Sequence, residues 1–168
     1  ASNALDAARE RVAHWFGARG SEIIFTSGGT ESDNLAVKGI FWQRNGEDAA
    51  RRVIISAATE HHAVIDPLEW LEKAQGAEVI WLPVSNEGLV DLDALARVLA
   101  ERANEVALIT LMWANNETGV ITDIHEVTAL ADKYRIPVHS DAVAAFGHLP
   151  ISFATIGLPA MTITGHKI

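Results

Sequence analysis

The sequence predicts an α/β fold: a mostly parallel sheet with helices on both faces. Three observations carry this. Short apolar runs rich in β-branched residues alternate with longer stretches whose apolar positions recur every three or four residues. Strand and helix alternate five times along the 168 residues, which implies crossover connections and parallel pairing. The run Val106–Met112 is too uniformly apolar for a sheet covered on one face only.

In order, Leu5, Ala8, Val12, Trp15 and Phe16 mark an amphipathic helix ended by Gly17 and Gly20. Glu22–Thr26 reads as a first short strand, followed by Ser27-Gly-Gly-Thr30 and a helix through Leu35, Ile40 and Phe41. Arg52–Ala57 is the second strand, followed by Thr59-Glu-His-His62 and a helix carrying Val64, Leu68 and Leu71. Glu78–Leu82 is the third, with a turn at Asn86-Glu-Gly88 and a helix marked by Leu92, Leu95, Val98 and Leu99. Val106–Met112 is the fourth, followed by Asn115-Asn-Glu-Thr-Gly119 and a helix through Ile124, Val127, Leu130, Ala131 and Tyr134. Pro137–Ser140 is the fifth, with Asp141 at its end, and Met161–Thr164 is the sixth. No repeat or linker interrupts the pattern, so residues 1–168 read as one domain. The chain ends one residue after Lys167, hard against an apolar strand, so a piece of a longer domain, incomplete at both ends, is expected.

A net charge of -9 without a basic run argues against nucleic-acid binding. No apolar run approaches a membrane span, and the opening residues lack a signal-peptide layout. Cysteine is absent, which excludes thiolate chemistry by these residues. A cytoplasmic setting is expected.

In open α/β sheets ligands bind beyond the carboxyl ends of the strands. Five polar clusters follow strands here: Ser27-Gly-Gly-Thr30, Glu60-His61, Asn115-Asn116, Asp141 and His166-Lys167. Gly29 and Thr30 open a helix, where free amides favour an anion such as phosphate; a plain glycine turn with Thr30 as helix cap is the alternative. Lys167 is the one of four lysines that directly follows an apolar strand, a place where lost hydration suits a Schiff-base lysine; a side chain snorkelling from the strand end is the simpler use. Asp141 suits a protonated ring nitrogen, or else caps the segment beginning at Ala142. His61 suits stacking on a flat ring, or a loop hydrogen bond. Asn116 suits donation to a phenolic oxygen, or a turn before Gly119. A metal site from His61, His139, Asp141 and His166 lacks the usual paired spacing, so none is assigned. Taken together the clusters describe pyridoxal 5'-phosphate (PLP), with its phosphate, phenol, pyridine nitrogen and aldehyde.

The segments Thr26–Leu35, Ala58–Val64, Asn115–Val120, His139–Ala142 and Thr164–Ile168 resemble, in order and spacing, the cysteine desulfurases of the class V aminotransferase family, PLP enzymes of the type I fold. The resemblance runs over nearly the whole chain and implies the large, cofactor-binding domain. It implies Lys167 as the covalent cofactor lysine and His61 as the stacking, proton-moving histidine, these two being the catalytic residues. It further implies Asp141 at the ring nitrogen, Asn116 at the phenolic oxygen, and Gly29, Thr30, Thr164 and His166 around the phosphate. Thr164 stands where the family has serine, and Ala144 where it has a glutamine that contacts the phenolic oxygen.

The implied function is a transferase of sulfur metabolism. It would convert L-cysteine to L-alanine and leave an enzyme-bound persulfide for iron–sulfur cluster or thio-cofactor assembly, as a homodimer serving an acceptor or scaffold protein. The alternatives are another class V enzyme, such as a selenocysteine lyase or aminotransferase, and a PLP-binding piece without catalysis.

Overall fold

The computed structural model describes residues 2–167, the side chain of Ser2 excepted, so Ile168 of the last motif lies outside it. Strands β1 (Val53–Ala57), β2 (Glu78–Leu82), β3 (Val106–Thr110), β4 (Val138–Asp141) and β5 (Ala160–Thr162) form one sheet in the order β2-β1-β3-β4-β5. Every pairing is parallel, so the expected mostly parallel sheet is wholly parallel among the described residues.

Helices α2 (Gly29–Glu47) and α3 (His62–Gln75) cover one face, packing Val37, Phe41, Val64, Leu68 and Leu71 on Ile54, Val79 and Leu108. Helices α4 (Leu92–Arg102) and α5 (Ile124–Asp132) cover the other, packing Leu95, Leu99, Ile124, Val127 and Ala131 on Val53, Ile55, Val106 and Ile109. Neighbours such as Ile54 and Ile55 go to opposite cores, the two-residue period of a strand buried on both sides. Asp91 and Asp123 cap α4 and α5 by accepting from the amides of Ala94 and Glu126. Gly76 ends α3 with φ of 70°, a left-handed position that suits glycine. The amphipathic helix expected at the start is α1 (Ser2–Phe16), and a short α6 (Phe153–Ile156) precedes β5. No helix of the described residues is long and apolar enough to cross a membrane.

Residues Glu22–Thr26 do not form the expected strand. Gly20–Glu22 is a single 3-10 turn, and the chain then runs to Gly28 with no strand beside it among the described residues. Ile24 and Phe25 stand 68% and 45% exposed. Branched side chains favour a strand only where a neighbour supplies the ladder. The last strand is also shorter than expected: β5 covers Ala160–Thr162, and Thr164 lies beyond it.

Polar groups at the amino ends of the strands pair with one another. Arg102 holds the two oxygens of Glu78 at 2.6 and 2.9 Å and also bonds Glu105. Arg52 reaches Glu78, and Arg51 donates to the Val106 carbonyl.

Leu108, fully buried at the centre of β3, should be costly to truncate. Leu108→Ala is expected to lower unfolding free energy by about 2–5 kcal/mol, from lost transfer and a cavity. Trp15→Ala, at a site 78% exposed, should change it by no more than about 0.5 kcal/mol in denaturant melts. Equal losses at the two sites would contradict the packing described.

Candidate active site

The strand order reverses at β1 and β3, since β2 lies on one side of β1 and β3 on the other. Such a reversal is where open α/β sheets bind ligands, in a crevice beyond the carboxyl ends of the strands. Two hydrogen bonds join the segments that follow β1 and β3. Glu60 Oε1 accepts from the Met112 amide at 2.6 Å, and Asn115 Nδ2 donates to the Thr59 carbonyl at 2.9 Å. The segments after β1 and β3 are therefore tied to each other.

His61 is the N-cap of α3. Its Nδ1 accepts from the Ala63 amide at 3.0 Å, which places the proton of the neutral ring on Nε2. The ring itself is exposed. The two asparagines divide the roles weighed for Asn116. Asn115 builds the turn, its Oδ1 accepting from the amides of Glu117 and Thr118 at 2.9 Å each. Asn116 is exposed, and its side chain makes no hydrogen bond among the described residues.

Asp141 is the last residue of β4 and is buried, with Oδ1 accepting from the Val143 amide at 2.9 Å. Burial pushes its carboxyl above the ordinary value, while the Val143 amide and the nearby charges of His61 and Lys167 pull it back. Asp141 accepts this bond, so the capping use weighed for it is realised at the segment beginning at Ala142.

Helix α2 begins at Gly29 with no side-chain cap from Gly28. A Cβ on Gly29 would press on Thr164 Cγ2 at 3.0 Å and Val143 Cγ2 at 3.3 Å, so the first turn sits flush against the ends of β4 and β5. Thr164 Oγ1 is buried there without a hydrogen-bond partner. First-turn amides have no partners within a helix, and Thr30 is exposed beside them. This cup is short of an acceptor, and an anionic oxygen supplies one.

His166 and Lys167 lie on a 3-10 turn, Gly165–Lys167. Lys167 is exposed, so the dehydration expected from its apolar strand is not realised: the turn carries it off the sheet end, and no described residue covers it. From this turn the Lys167 charge still helps to pull the Asp141 carboxyl down. His139, weighed as a metal ligand, points instead into the buried sheet, where it bonds Thr110 and Thr162. Among the described residues no group of three or more His, Asp and Glu is arranged for a metal ion. Ala144 is half-buried against the core, so a glutamine there would have to displace apolar neighbours or turn outward. A groove of about 1250 Å³ runs between residues 23–28 and β5. It meets the candidate site at Thr164–His166, and His61, Asn116 and Asp141 do not line it.

Two buried acids had no assigned role in the sequence. Glu60 stood inside the His61 motif, and Asp33 follows the glycine turn by one helical turn. The available signal was a carboxylate beside apolar positions. Burial, the dominant cause, pushes Glu60 well above the ordinary value against the opposing Met112 bond. A raised carboxyl binds its proton in the folded state where the unfolded chain has lost it, so stability falls as pH rises above about 4.5. Glu60→Gln keeps an acceptor for Met112. It is expected to gain stability relative to the parent as pH rises from about 4.5, by at most about 1.4 kcal/mol per pH unit in melts. A difference that is flat with pH would mean Glu60 is ionised in the fold.

The aminotransferase class-V model matches residues 1–168. The chain is 49% identical over 163 residues to an IscS-like cysteine desulfurase of Mycobacterium tuberculosis, covering 97% of this chain and 41% of that protein. It is 43% identical to the cysteine desulfurase IscS of Dictyoglomus turgidum, covering 98% of this chain and 40% of that protein. The chain thus spans about two fifths of the length of these relatives. Among solved structures, a NifS-like protein aligns with a TM-score of 0.88 at 33% identity, over 97% of this chain and 43% of that one. A structure titled SspA in complex with cysteine aligns with a TM-score of 0.88 at 32% identity, over 99% of this chain and 46% of that one. Members of this family depend on PLP, and the open cup, the buried Asp141 and the uncommitted Asn116 fit that cofactor. By its sequence match, its all-parallel sheet and the residues gathered at the strand ends, the chain belongs to the aminotransferase class-V family.

Proposed function

We propose that this chain is the cofactor-binding part of a PLP-dependent cysteine desulfurase, acting on L-cysteine to give L-alanine and a protein persulfide. The observation that carries the reading is one strand edge where an unsatisfied anion cup, a buried carboxyl and an exposed lysine meet. The naming of the relatives as cysteine desulfurases, and of one structural neighbour as a complex with cysteine, supports the substrate. When bound, PLP supplies an electron sink that makes the bonds at the substrate Cα and Cβ labile.

The residues then have distinct tasks. Gly29 and Thr30 offer amides and a hydroxyl to the phosphate, and Thr164 Oγ1 and His166 complete its shell. Asp141 holds the ring nitrogen protonated, which an exposed carboxylate would do less well. Asn116 donates to the phenolic oxygen. His61 covers the ring face and moves protons at Nε2. Lys167 is the covalent anchor, and its Nζ takes and returns the Cα proton. The chain has no cysteine, so the sulfur-accepting thiol is supplied from outside these residues. The same reading extends to a cytoplasmic homodimer that passes sulfur to an acceptor or scaffold protein for cluster or thio-cofactor assembly.

The reading is tested by adding PLP to the purified chain, reducing with borohydride and mapping the modified peptide. The adduct is expected on Lys167 and should vanish in Lys167→Ala. An adduct on Lys38, Lys73 or Lys133, or none at all, would overturn it. With L-cysteine and a thiol reductant, sulfide release should not exceed that of free PLP.

In a longer protein carrying this sequence, Asp141→Asn should slow the chemical step by roughly a hundredfold, equivalent to about 3 kcal/mol, because an amide cannot hold the ring nitrogen protonated. Melting temperature should change little by comparison. A near-parental single-turnover rate would remove Asp141 from this role.

A further inference from the structure

Beneath the crevice lies a chain of buried polar groups that the proposed chemistry does not use. Asp33 of α2 is 1% exposed, and His139 of β4 is fully buried. His139 Nδ1 lies 2.9 Å from Thr110 Oγ1 on β3, and its Nε2 lies 3.0 Å from Thr162 Oγ1 on β5. Thr162 lies close enough to pull the Asp33 carboxyl down, while Asp33 Oδ1 lies 3.6 Å from His139 Nε2 without a hydrogen-bond partner. The chain therefore crosses three adjacent strands and ends on the helix whose first turn forms the anion cup.

We propose that Asp33 is a positioning residue: through Thr162, His139 and Thr110 it forms one directional hydrogen-bond chain that locks the anion-cupping end of α2 to the strand end presenting Asp141. This rests on the PLP reading of the site above.

The contact of Asp33 with His139 is not an ion pair. At 3.6 Å it is longer than a charge-assisted bond, and neither group has water to support a charge. Burial pushes the histidine down to about 4 and Asp33 up to about 8, with the like charge of Asp141 adding to the rise. The other titratable groups in range are Glu60, also buried, and His61 and Lys167, which act on Asp141 from the open side.

The direction of the chain follows from donor counting. A neutral imidazole has one N–H, and each threonine has one O–H. When Asp33 carries a proton it donates to Thr162 Oγ1. Thr162 then donates to His139 Nε2, and His139 Nδ1–H donates to Thr110. When Asp33 is ionised it accepts from Thr162, and the order reverses, leaving the ring proton on Nε2. The tautomer of His139 thus reports the proton on Asp33.

The chain is tested without cofactor by nitrogen NMR of His139 in the purified protein. The parent should show a neutral Nδ1–H ring at pH 7, changing to Nε2–H with a midpoint of about 8. Asp33→Asn, whose amide donates as the neutral acid does, should hold the Nδ1–H form throughout. An imidazolium at pH 7, or the same pH response in parent and variant, would overturn the proposal.

A second readout is PLP affinity. Asp33→Asn should keep it within about threefold, whereas Asp33→Leu, if still folded by its melt, should weaken it by about tenfold or more. Unchanged affinity in Asp33→Leu would also overturn the proposal. If the parent takes up no PLP, the functional reading falls, and the tautomer result alone decides whether the chain exists.

Discussion

The close seat of Gly29 against Thr164 and Val143 is the contact on which the site depends. It brings three things together that are far apart in sequence: the amide-rich start of α2, the hydroxyl beyond β5, and the segment that follows Asp141. A side chain at position 29 would press those neighbours away and open a gap between anion cup and carboxyl. The distance between a phosphate and a ring nitrogen is fixed by the covalent frame of PLP, so the protein must hold its two recognition groups at a matching separation. Tight packing of backbone on side chain does this with less freedom than a flexible side chain would allow.

The two edges of the sheet differ in degree, since Arg44 Nε near Arg51 and Asp48 is also buried without a partner. At the amino edge Arg51, Arg52, Arg102, Glu78 and Glu105 satisfy one another or the backbone. At the carboxyl edge and just below it, Thr164 Oγ1, Glu60 Oε2 and Asp33 Oδ1 are buried without partners. An unmade hydrogen bond in the interior costs about 1–3 kcal/mol, so a fold keeps such groups where something else depends on them. For Thr164 the proposed phosphate would be the partner. Burial raises Glu60, Asp33 and Asp141 alike, and of the three it is Asp141 that His61 and Lys167 pull back. Three ionised carboxylates in one buried region would repel one another.

Much of this was legible in the sequence. The alternation of β-branched runs with amphipathic stretches gave five of six strands and their parallel sense, because burial on both faces leaves a continuous apolar run. The carboxyl-end rule then put His61, Asn116, Asp141, Lys167 and the glycine turn on one edge. What failed has a common cause. Residues 22–26 have strand composition but no ladder partner, and Lys167 follows an apolar strand but leaves it on an exposed turn. Composition reports what a residue prefers, not which neighbour is present to satisfy it. The roles of Asp33, Glu60 and His139 were hidden for the same reason, since their meaning lies in contacts between residues 23 to 106 positions apart.

The central claim is that the ends of β1, β3, β4 and β5 and the start of α2 form one PLP site. A crystal structure of the chain grown with PLP tests it most directly. Phosphate density is expected at the Gly29–Thr30 turn within hydrogen-bond distance of Thr164 Oγ1, with the ring nitrogen at the Asp141 carboxyl. Phosphate bound in the groove between residues 23–28 and β5, with Asp141 out of reach of the ring, would contradict it.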